Sequence, residues 1–471
     1  MMGRADRWRE IIALATPVVI AKLSFTAMGI VDTAMVGRLG ATAQAAVGIA
    51  TTYMFTLYVF GLGIIGVINT FVSQNHGAGR LDRCGVVLGH GQRIATAVGA
   101  VTLVILLVSG PLFRWAGLSA GVSDMGYSYL AFRVIGLPGV FWYWTYNAYL
   151  EGLGETRTPM VISLAANGIN IVLDYTLIFG AGPIPALGVQ GAGIATALSN
   201  LFMLGCFAWV VHRRNSAYRR YGVGSIWAPI SWHLMRRMIR VGLPMGVQLF
   251  LEIGAFLVIS VMIGWVSDVS LAANQVALRV MSVSFMTAWG ISVAATTLVG
   301  RHQGEGEPDL AAAAGRRTLL LVFGFTLVCG AVFAGLPQTL AELFTPFDDV
   351  AASATTLIYV AAVIQVFDGQ QMVAYGALRG AGDTRWPLYV VVSLSWGLGV
   401  PLVYVLTIPA GLGVVGAWLG ILAMLACQAV VLLCRFRSGR WKTIRVDGDT
   451  DEPPAIDRLA RDPRRQRTPQ R

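Results

Sequence analysis

Two stretches of the sequence carry acidic residues inside long apolar runs. Glu252 lies in "LFLEIGAF", with Gln248 one helical turn earlier. Asp368 lies in "IQVFDGQQMVAYG", with Gln365 three residues before it and Tyr375 two turns after it. A charge at the centre of a bilayer costs at least about 2.5–3.5 kcal/mol, so such residues usually face a cavity or a partner. These polar stripes are therefore candidates for an ion or substrate pathway.

A second polar group occurs nearer the N-terminus. Asn167, Asn170 and Asp174 are spaced i, i+3 and i+7, so they share one face of a predicted helix. Asp32 lies late in the first apolar run. The functional hypothesis for all four acids is a carboxyl group that cycles between protonated and ionised forms, or exchanges a proton for a cation. The alternative is a neutral acid held by one hydrogen bond, or an ion pair that fixes packing.

Lys22 and an aromatic run are the other chemically notable features. Lys22 lies ten residues before Asp32, or about 15 Å along a helix, and the two cannot pair directly. We expect either that an acid on another helix neutralises Lys22 or that the Lys22 ammonium reaches the membrane surface. Contact between Lys22 and a substrate is the less favoured alternative. The run "FWYWTYNAY" at 141–149 is consistent with either a cation-binding cavity or an interfacial aromatic belt.

The composition indicates a polytopic membrane protein. Of the 471 residues, 56% are hydrophobic and 13% are charged, and the mean hydropathy is +0.66. Apolar runs of roughly 20 residues predict helices that cross a hydrocarbon core of about 30 Å. Twelve such runs lie at approximately 10–37, 45–73, 88–110, 126–150, 160–180, 188–211, 241–265, 272–299, 318–340, 351–378, 388–408 and 413–434.

The distribution of Lys and Arg predicts the orientation. If the N-terminus is cytoplasmic, 30 of the 35 Lys and Arg residues fall on the cytoplasmic side, which by the positive-inside rule places both termini there. The net charge of +11 then reflects topology and attraction to anionic lipid, and we expect no nucleic-acid partner. The tail 438–471 is rich in Asp, Arg and Pro, and we predict that it is disordered and cytoplasmic.

An internal repeat organises the chain. "EGLGETRTP" at 151–159 corresponds to "RGAGDTRWP" at 379–387, and "HGAGRLD" at 76–82 corresponds to "QGEGEPD" at 303–309, at offsets of 228 and 227. Pro17 and Pro244 also differ by 227. The sequence therefore predicts an all-α fold of two homologous six-helix bundles, related by a pseudo-twofold axis and separated by a central cleft. The expected units are the N-terminal bundle 1–212, a cytoplasmic linker 213–240 and the C-terminal bundle 241–437.

Several classes of protein are excluded by the motifs. The sequence contains neither HExxH nor a Walker GxxxxGK[ST] loop, and it has five histidines, so we expect no enzyme and no cofactor. The two GxGxxG matches, at 61–66 and 411–416, lie in or beside apolar runs and predict close helix packing. The five cysteines have neither metal-ligand nor disulfide spacing.

The order and spacing of several motifs resemble those of the multidrug and toxic compound extrusion (MATE) transporters. These motifs are "DTAMVGRLG", "GAGR", "GLPMGVQLFLEIGAF", "AANQVALRV" and "ALRGAGDTRWP", and the resemblance extends to about residue 440. Glu252 and Asp368 are similar to the coupling acids of the NorM-like branch, and Gln275 to a polar contact in the same cavity. Asp32, with Asn170 and Asp174, resembles the proton-responsive network of the DNA-damage-inducible branch.

The resemblance implies a secondary antiporter that exports amphipathic, often cationic drugs in exchange for H⁺ or Na⁺. Glu252 and Asp368 would be metal ligands only if Na⁺ is the coupling ion. We expect a monomer in the inner membrane, surrounded by lipid, with small organic molecules as substrates. The alternative is a lipid-linked oligosaccharide flippase of a related two-bundle fold, but this function needs cationic groups to hold a pyrophosphate, and few lie within the predicted helices.

Overall fold

A computed structural model describes residues 4–109, 119–183, 185–213, 217–223, 230–444 and 446. Pro17 and Pro244 lie at matching positions inside the first and seventh of its twelve long helical spans. The spans are α1 (Arg4–Gly37), α2 (Ala41–Gly77), α3 (Leu81–Val108), α4 (120–152), α5 (Arg157–Phe179), α6 (Val189–His212), α7 (Trp232–Gly264), α8 (Asp268–Gly304), α9 (Pro308–Gly335), α10 (Asp348–Gly380), α11 (Arg385–Thr407) and α12 (Gly413–Arg437).

The apolar composition of these helices explains their length. Eleven of the described spans are continuous helices that are long and apolar enough to cross a membrane. The exception, α4, contains a 3₁₀ turn at Val134–Gly136 next to Pro138. A wider π turn at Ser395–Gly399 occurs in α11, just before Pro401. Proline removes a backbone donor, so both irregular turns lie where a regular helix is hardest to maintain.

The helices pack as two bundles with the same internal arrangement. In the first bundle α1 packs on α5, α3 on α4, and α6 on both α4 and α5. In the second bundle α7 packs on α11, α9 on α10, and α12 on both α10 and α11. Adding six to each helix number of the first set gives the second set. The predicted all-α fold of two six-helix bundles is therefore confirmed.

The two bundles meet through symmetric glycine contacts. Gly77 on α2 lies against the backbone of Arg301 on α8, and Gly304 on α8 lies against the backbone of Gln74 on α2. A side chain at either glycine would overlap the facing backbone. These two contacts exchange under the repeat offset of 227. They lie at the end of the bundles that carries the connection between α6 and α7, here called the linker side.

Hydrogen bonds across the bundle interface repeat the same symmetry. Thr70 on α2 donates to the carbonyl oxygen of Arg379 on α10 at 3.0 Å. Its repeat counterpart, Thr297 on α8, donates to the carbonyl oxygen of Glu151 on α4, also at 3.0 Å. Gln74 adds a bond from its amide nitrogen to the Gly380 carbonyl oxygen at 2.9 Å. The linker side of the cleft is therefore closed in this conformation.

Two predicted boundaries differ from the structure. Residues 232–240, predicted as linker, form the first turns of α7, and the Ser231 side chain caps this helix by accepting from the Leu234 amide. Residues 438–444, predicted as disordered tail, continue α12 into a 3₁₀ turn at Arg440–Thr443. Trp441 is fully buried there and stacks on Phe436, and this apolar burial orders the segment. Residues 445 and 447–471 of the predicted tail lie outside the described residues.

A valine at position 77 or 304 tests the glycine contacts. We expect Gly77→Val and Gly304→Val each to destabilise the protein by about 1–3 kcal/mol, because the added side chain has no room against the facing backbone. The measurement is the unfolding temperature of the detergent-solubilised protein. Gly324→Val on α9 is the matched control, since a Cβ there meets nothing within 4 Å. Equal unfolding temperatures for all three variants would contradict this account of the interface.

Candidate functional site

The N-terminal bundle brings Asp32, Asn170 and Asp174 together. Asp32 is on α1, and both Asn170 and Asp174 are fully buried on the facing side of α5. With its amide nitrogen turned toward the acids, Asn170 donates to Asp32 Oδ1 at 2.9 Å and to Asp174 Oδ2 at 3.0 Å. One oxygen of each carboxyl group therefore contacts the same amide nitrogen, and the two acids lie close to each other. Two carboxylates this close repel each other when both are ionised.

Neighbouring contacts position this network. Asn167, one turn before Asn170, donates to the Ser24 carbonyl oxygen at 2.7 Å and also contacts the Ser24 hydroxyl. These bonds hold α5 against α1. Arg133 on α4 is close enough to Asp32 to attract it electrostatically, and its guanidinium donates to the Tyr129 hydroxyl at 2.6 Å. The shared face that the i, i+3, i+7 spacing predicted is thus turned toward α1.

The C-terminal bundle brings Glu252 and Asp368 together. Gln371 on α10 donates to Glu252 Oε1 on α7 at 3.2 Å, and Gln248 lies one turn before Glu252 on the same helix. Asp368, one turn before Gln371, is near enough to Glu252 to repel it when both are ionised. The hydrogen bond between Gln371 and Glu252 therefore joins α10 to α7 beside a pair of acids.

Buried amide oxygens lie around this acid pair. Among the described residues, the side-chain oxygens of Gln248, Gln365 and Gln371 are buried without a hydrogen-bond partner. A buried acceptor without a donor is costly, and either a donor or a cation would satisfy it. No cluster of three or more His, Cys, Asp and Glu side chains suited to a metal occurs in the part of the chain that the structure describes. The donor set here is mainly carboxylate and amide oxygen, which suits a hard cation such as Na⁺ or a proton.

Gln275 is not brought to these acids by any hydrogen bond among the described residues. Its side chain is exposed near the start of α8. The preceding residue, Asn274, is the buried one, and its Oδ1 accepts from Trp418 Nε1 at 3.0 Å. In a helix, adjacent residues point about 100° apart, so the polar position inside the bundle is 274.

A cavity lies between the bundles, and its lining comes from α1, α2, α4, α7, α8 and α10. Lys22, Glu151 and Arg379 are its charged lining residues, and Leu249, one turn before Glu252, also lines it. The Lys22 ammonium lies 4.5 Å from the centre of the Trp144 ring and 5.1 Å from that of Trp289. The acid expected to pair with Lys22 is not found within 4.0 Å of it among the described residues.

The aromatic run 141–149 has two structural roles. Trp144 and Asn147 line the cavity. Tyr143 and Tyr146 instead stack on Phe207 within the N-terminal bundle. The run therefore contributes to the cavity with one helix face and to the bundle core with another.

Glu151 and Arg379 are cavity residues that the sequence patterns did not predict. Glu151 is buried and accepts from Asn147 at 2.7 Å. The Arg379 guanidinium donates to the Thr296 hydroxyl at 3.1 Å and lies over the Tyr375 ring. The signal was present in the repeat, because Glu151 and Arg379 occupy the same position of "EGLGETRTP" and "RGAGDTRWP" and carry opposite charges.

The sequence matches a known protein family and several of its members. The MatE family model matches residues 17–176 and 244–405, one match in each bundle. The chain belongs to the MATE family of transporters. It is 32% identical over 438 residues to the multidrug resistance protein MdtK of Yersinia pseudotuberculosis, a match that covers 91% of this chain and 95% of MdtK. MdtK of Yersinia enterocolitica is also 32% identical, over 437 residues. The MATE family consists of transporters and not of enzymes.

Solved MATE structures share the two-bundle fold. The eukaryotic MATE transporter AtDTX14 aligns with a TM-score of 0.84 and 21% identity over 93% of this chain and 97% of its own. A transporter of the MOP superfamily from Pyrococcus furiosus aligns with a TM-score of 0.86, 21% identity, and coverage of 93% and 96%. This MATE-family chain is thus a multi-pass membrane protein with the expected architecture.

The N-terminal network predicts a stability effect. We expect Asn170→Leu to destabilise the protein by about 1–3 kcal/mol, because two buried carboxyl groups lose their shared donor. Gln275→Leu is the matched control, since it makes the same substitution at an exposed position. The measurement is the unfolding temperature in detergent. If Asn170→Leu and Gln275→Leu unfold at the same temperature, Asn170 does not hold the two acids in place.

Proposed function

We propose that this protein is a secondary antiporter that exports amphipathic, often cationic drugs or toxic metabolites in exchange for H⁺ or Na⁺. Membership of the MATE family and the similarity to proteins named multidrug resistance protein MdtK support the transport of drugs. In this proposal the protein lies in the inner membrane, with both termini and the linker side in the cytoplasm. No cofactor is needed beyond the coupling ion, and the monomer is the working unit.

The observation that carries this proposal is the neighbouring pair of half-buried acids, Glu252 and Asp368. The two acids lie on different helices of the C-terminal bundle, and Gln371, one turn after Asp368, donates to Glu252. Unsatisfied amide oxygens occur one helical turn from each acid along α7 and α10. Two neighbouring carboxylates repel each other in a medium of low dielectric, so an incoming H⁺ or Na⁺ is strongly favoured there. Such a site can convert the ion gradient into a preference for one conformation.

The mechanism follows from the contacts between the bundles. Thr70, Gln74 and Thr297 hold the linker side closed, and these hydrogen bonds must break for the cavity to face the cytoplasm. An ion bound between Glu252 and Asp368 removes their repulsion and changes the separation of α7 and α10. Ion and substrate are exchanged when the ion-bound protein favours one orientation of the two bundles and the substrate-bound protein favours the other.

The N-terminal acids provide a second coupling site. Asn170 bridges Asp32 and Asp174, and these two acids are close enough to hold one proton between them. Loss of that proton would leave two adjacent negative charges and would push α1 away from α5. Proton release in this bundle and ion binding in the other can therefore both act on the bundle interface, since α1 packs on α8 and α2 on α7.

The proposal is tested by transport in everted membrane vesicles. Export of a fluorescent organic cation is driven with a proton gradient or with a sodium gradient, in the wild type and in Glu252→Gln and Asp32→Asn. We expect one gradient to drive transport, and at least one substitution to slow it by roughly tenfold or more. Glu342→Gln is the matched control, because this acid lies on the short helix Pro337–Glu342 and bonds only to Gln338 in the hydrogen bonds described.

Each outcome locates the coupling site or rejects it. Loss of transport in Glu252→Gln alone assigns coupling to the C-terminal bundle, and loss in Asp32→Asn alone assigns it to the N-terminal bundle. If neither gradient moves any organic cation, and both variants equal the wild type, then the acids are structural and the antiporter proposal is wrong.

A further inference from the structure

The segment that follows α12 crosses the linker side from one bundle to the other. Residues 438–444 and 446 are here called the C-terminal strap. The strap begins on the C-terminal bundle, where Trp441 is fully buried and stacks on Phe436 of α12. The Trp441 indole nitrogen also donates to the Phe436 carbonyl oxygen at 2.7 Å. This end of the strap is therefore fixed to α12.

Two further contacts attach the strap to the C-terminal bundle. Gln303 on α8 donates from its amide nitrogen to the carbonyl oxygens of Lys442, at 2.7 Å, and Ile444, at 3.0 Å. The Lys442 ammonium pairs with Asp309 on α9 at 2.7 Å. The strap is thus held by three helices of the same bundle, and it will move with that bundle.

The far end of the strap contacts the N-terminal bundle. The Val446 amide donates to Gln74 Oε1 on α2 at 3.2 Å, and the Val446 side chain is buried in the apolar cluster of the N-terminal bundle. On its other side, Val446 lies so close to Gly382, in the turn between α10 and α11, that a Cβ at Gly382 would overlap it. The same Gln74 side chain donates to the Gly380 carbonyl oxygen. Val446 therefore lies where the two bundles meet on the linker side.

The linker between the bundles has a segment similar to the strap. After α6 the chain also forms a 3₁₀ turn, at Ala217–Tyr221, and the Tyr221 ring lies 5.9 Å from that of His76. His76 is the repeat counterpart of Gln303 at the offset of 227. The linker has to continue to α7, whereas the strap leads to no further helix among the described residues. Chain connectivity thus does not require the strap to reach the opposite bundle.

We propose that the C-terminal strap is a latch that stabilises the conformation in which the linker side is closed. Opening of the linker side separates α2 from α8 and α10, so Val446 loses its bond to Gln74 and its buried side chain is exposed. An interaction that exists in only one of two conformations shifts the equilibrium toward that conformation by its own free energy. This inference rests on the proposed function, because a latch matters only in a protein that alternates between two orientations.

The contact at Val446 is the part of the latch that opens. The strap keeps its contacts with α8, α9 and α12 when the bundles separate, because these three helices belong to one bundle. Only the Val446 amide and side chain bridge to α2 among the described strap contacts. A substitution at Val446 should therefore change the balance between conformations and leave each bundle intact.

A distance measurement between the bundles tests the latch without any ion gradient or substrate. Spin labels are attached at Ala78→Cys and Glu307→Cys, two exposed positions on the linker side of α2 and α8, in full-length protein whose five native cysteines are alanine. Double electron–electron resonance in lipid nanodiscs gives the ratio of the longer, open distance to the shorter, closed one. We expect the shorter distance to dominate, and Val446→Glu to raise the ratio by about tenfold through the loss of one buried valine contact.

Two further variants make the result decisive. Thr443→Glu adds the same charge at an exposed position of the strap and should keep the original ratio. Gln303→Leu removes both hydrogen bonds from α8 to the strap and should raise the ratio in the same direction as Val446→Glu. Gel filtration verifies that each variant is folded, and if Val446→Glu aggregates, Gln303→Leu answers the same question.

The inference is overturned if the folded Val446→Glu protein keeps the original ratio of distances. It is also overturned if Thr443→Glu raises this ratio as much as Val446→Glu, since added charge would then explain the effect. Failure of the proposed function is separate: it shows as an absence of gradient-driven cation transport in vesicles, whatever the distances between the labels.

Discussion

The contact of helix backbones across the pseudo-twofold axis is the constraint on which the rest of the structure depends. Gly77 and Gly304 let α2 and α8 approach until backbone touches backbone, and Thr70 and Thr297 then reach carbonyl oxygens of the opposite bundle. In a membrane, helices gain little from burying apolar surface, so close packing and hydrogen bonds provide the association. The same contacts close one side of the cavity, and any transport cycle must break them.

Low dielectric explains where the charges lie. Asp32 and Asp174 are bridged by Asn170, and Glu252 is held by Gln371, so each acid site stays inside one bundle. The charged residues Lys22, Glu151 and Arg379 lie between the bundles instead. The proposed ion sites therefore lie inside the bundles, and the cavity lies between them. In the proposed mechanism, helices that contribute to both, such as α7, couple ion binding to substrate binding.

The fold followed from the sequence because its signals are strong and local. Apolar runs, the positions of Lys and Arg, and the offset of 227 predict twelve helices in two bundles. Helical spacing also predicted that Asn170 and Asp174 share a face. It did not predict that Asn274 is the buried polar residue of "AANQ", whereas Gln275 is exposed. Nor did it reveal Trp441, whose burial depends on packing against α12.

The charged cavity was missed for a physical reason. Glu151 and Arg379 lie near the ends of α4 and α10, where sequence analysis assigns charge to the membrane surface. Whether such a residue faces water or the partner bundle depends on how the bundles approach each other, and local sequence does not contain that information. The repeat contains part of it. A repeat-equivalent position that carries Glu in one half and Arg in the other marks the axis, because residues on a twofold axis meet their own counterparts. Asymmetry at repeat-equivalent positions is thus a sequence signal for a functional cavity, and Lys22 with Leu249 follows the same rule.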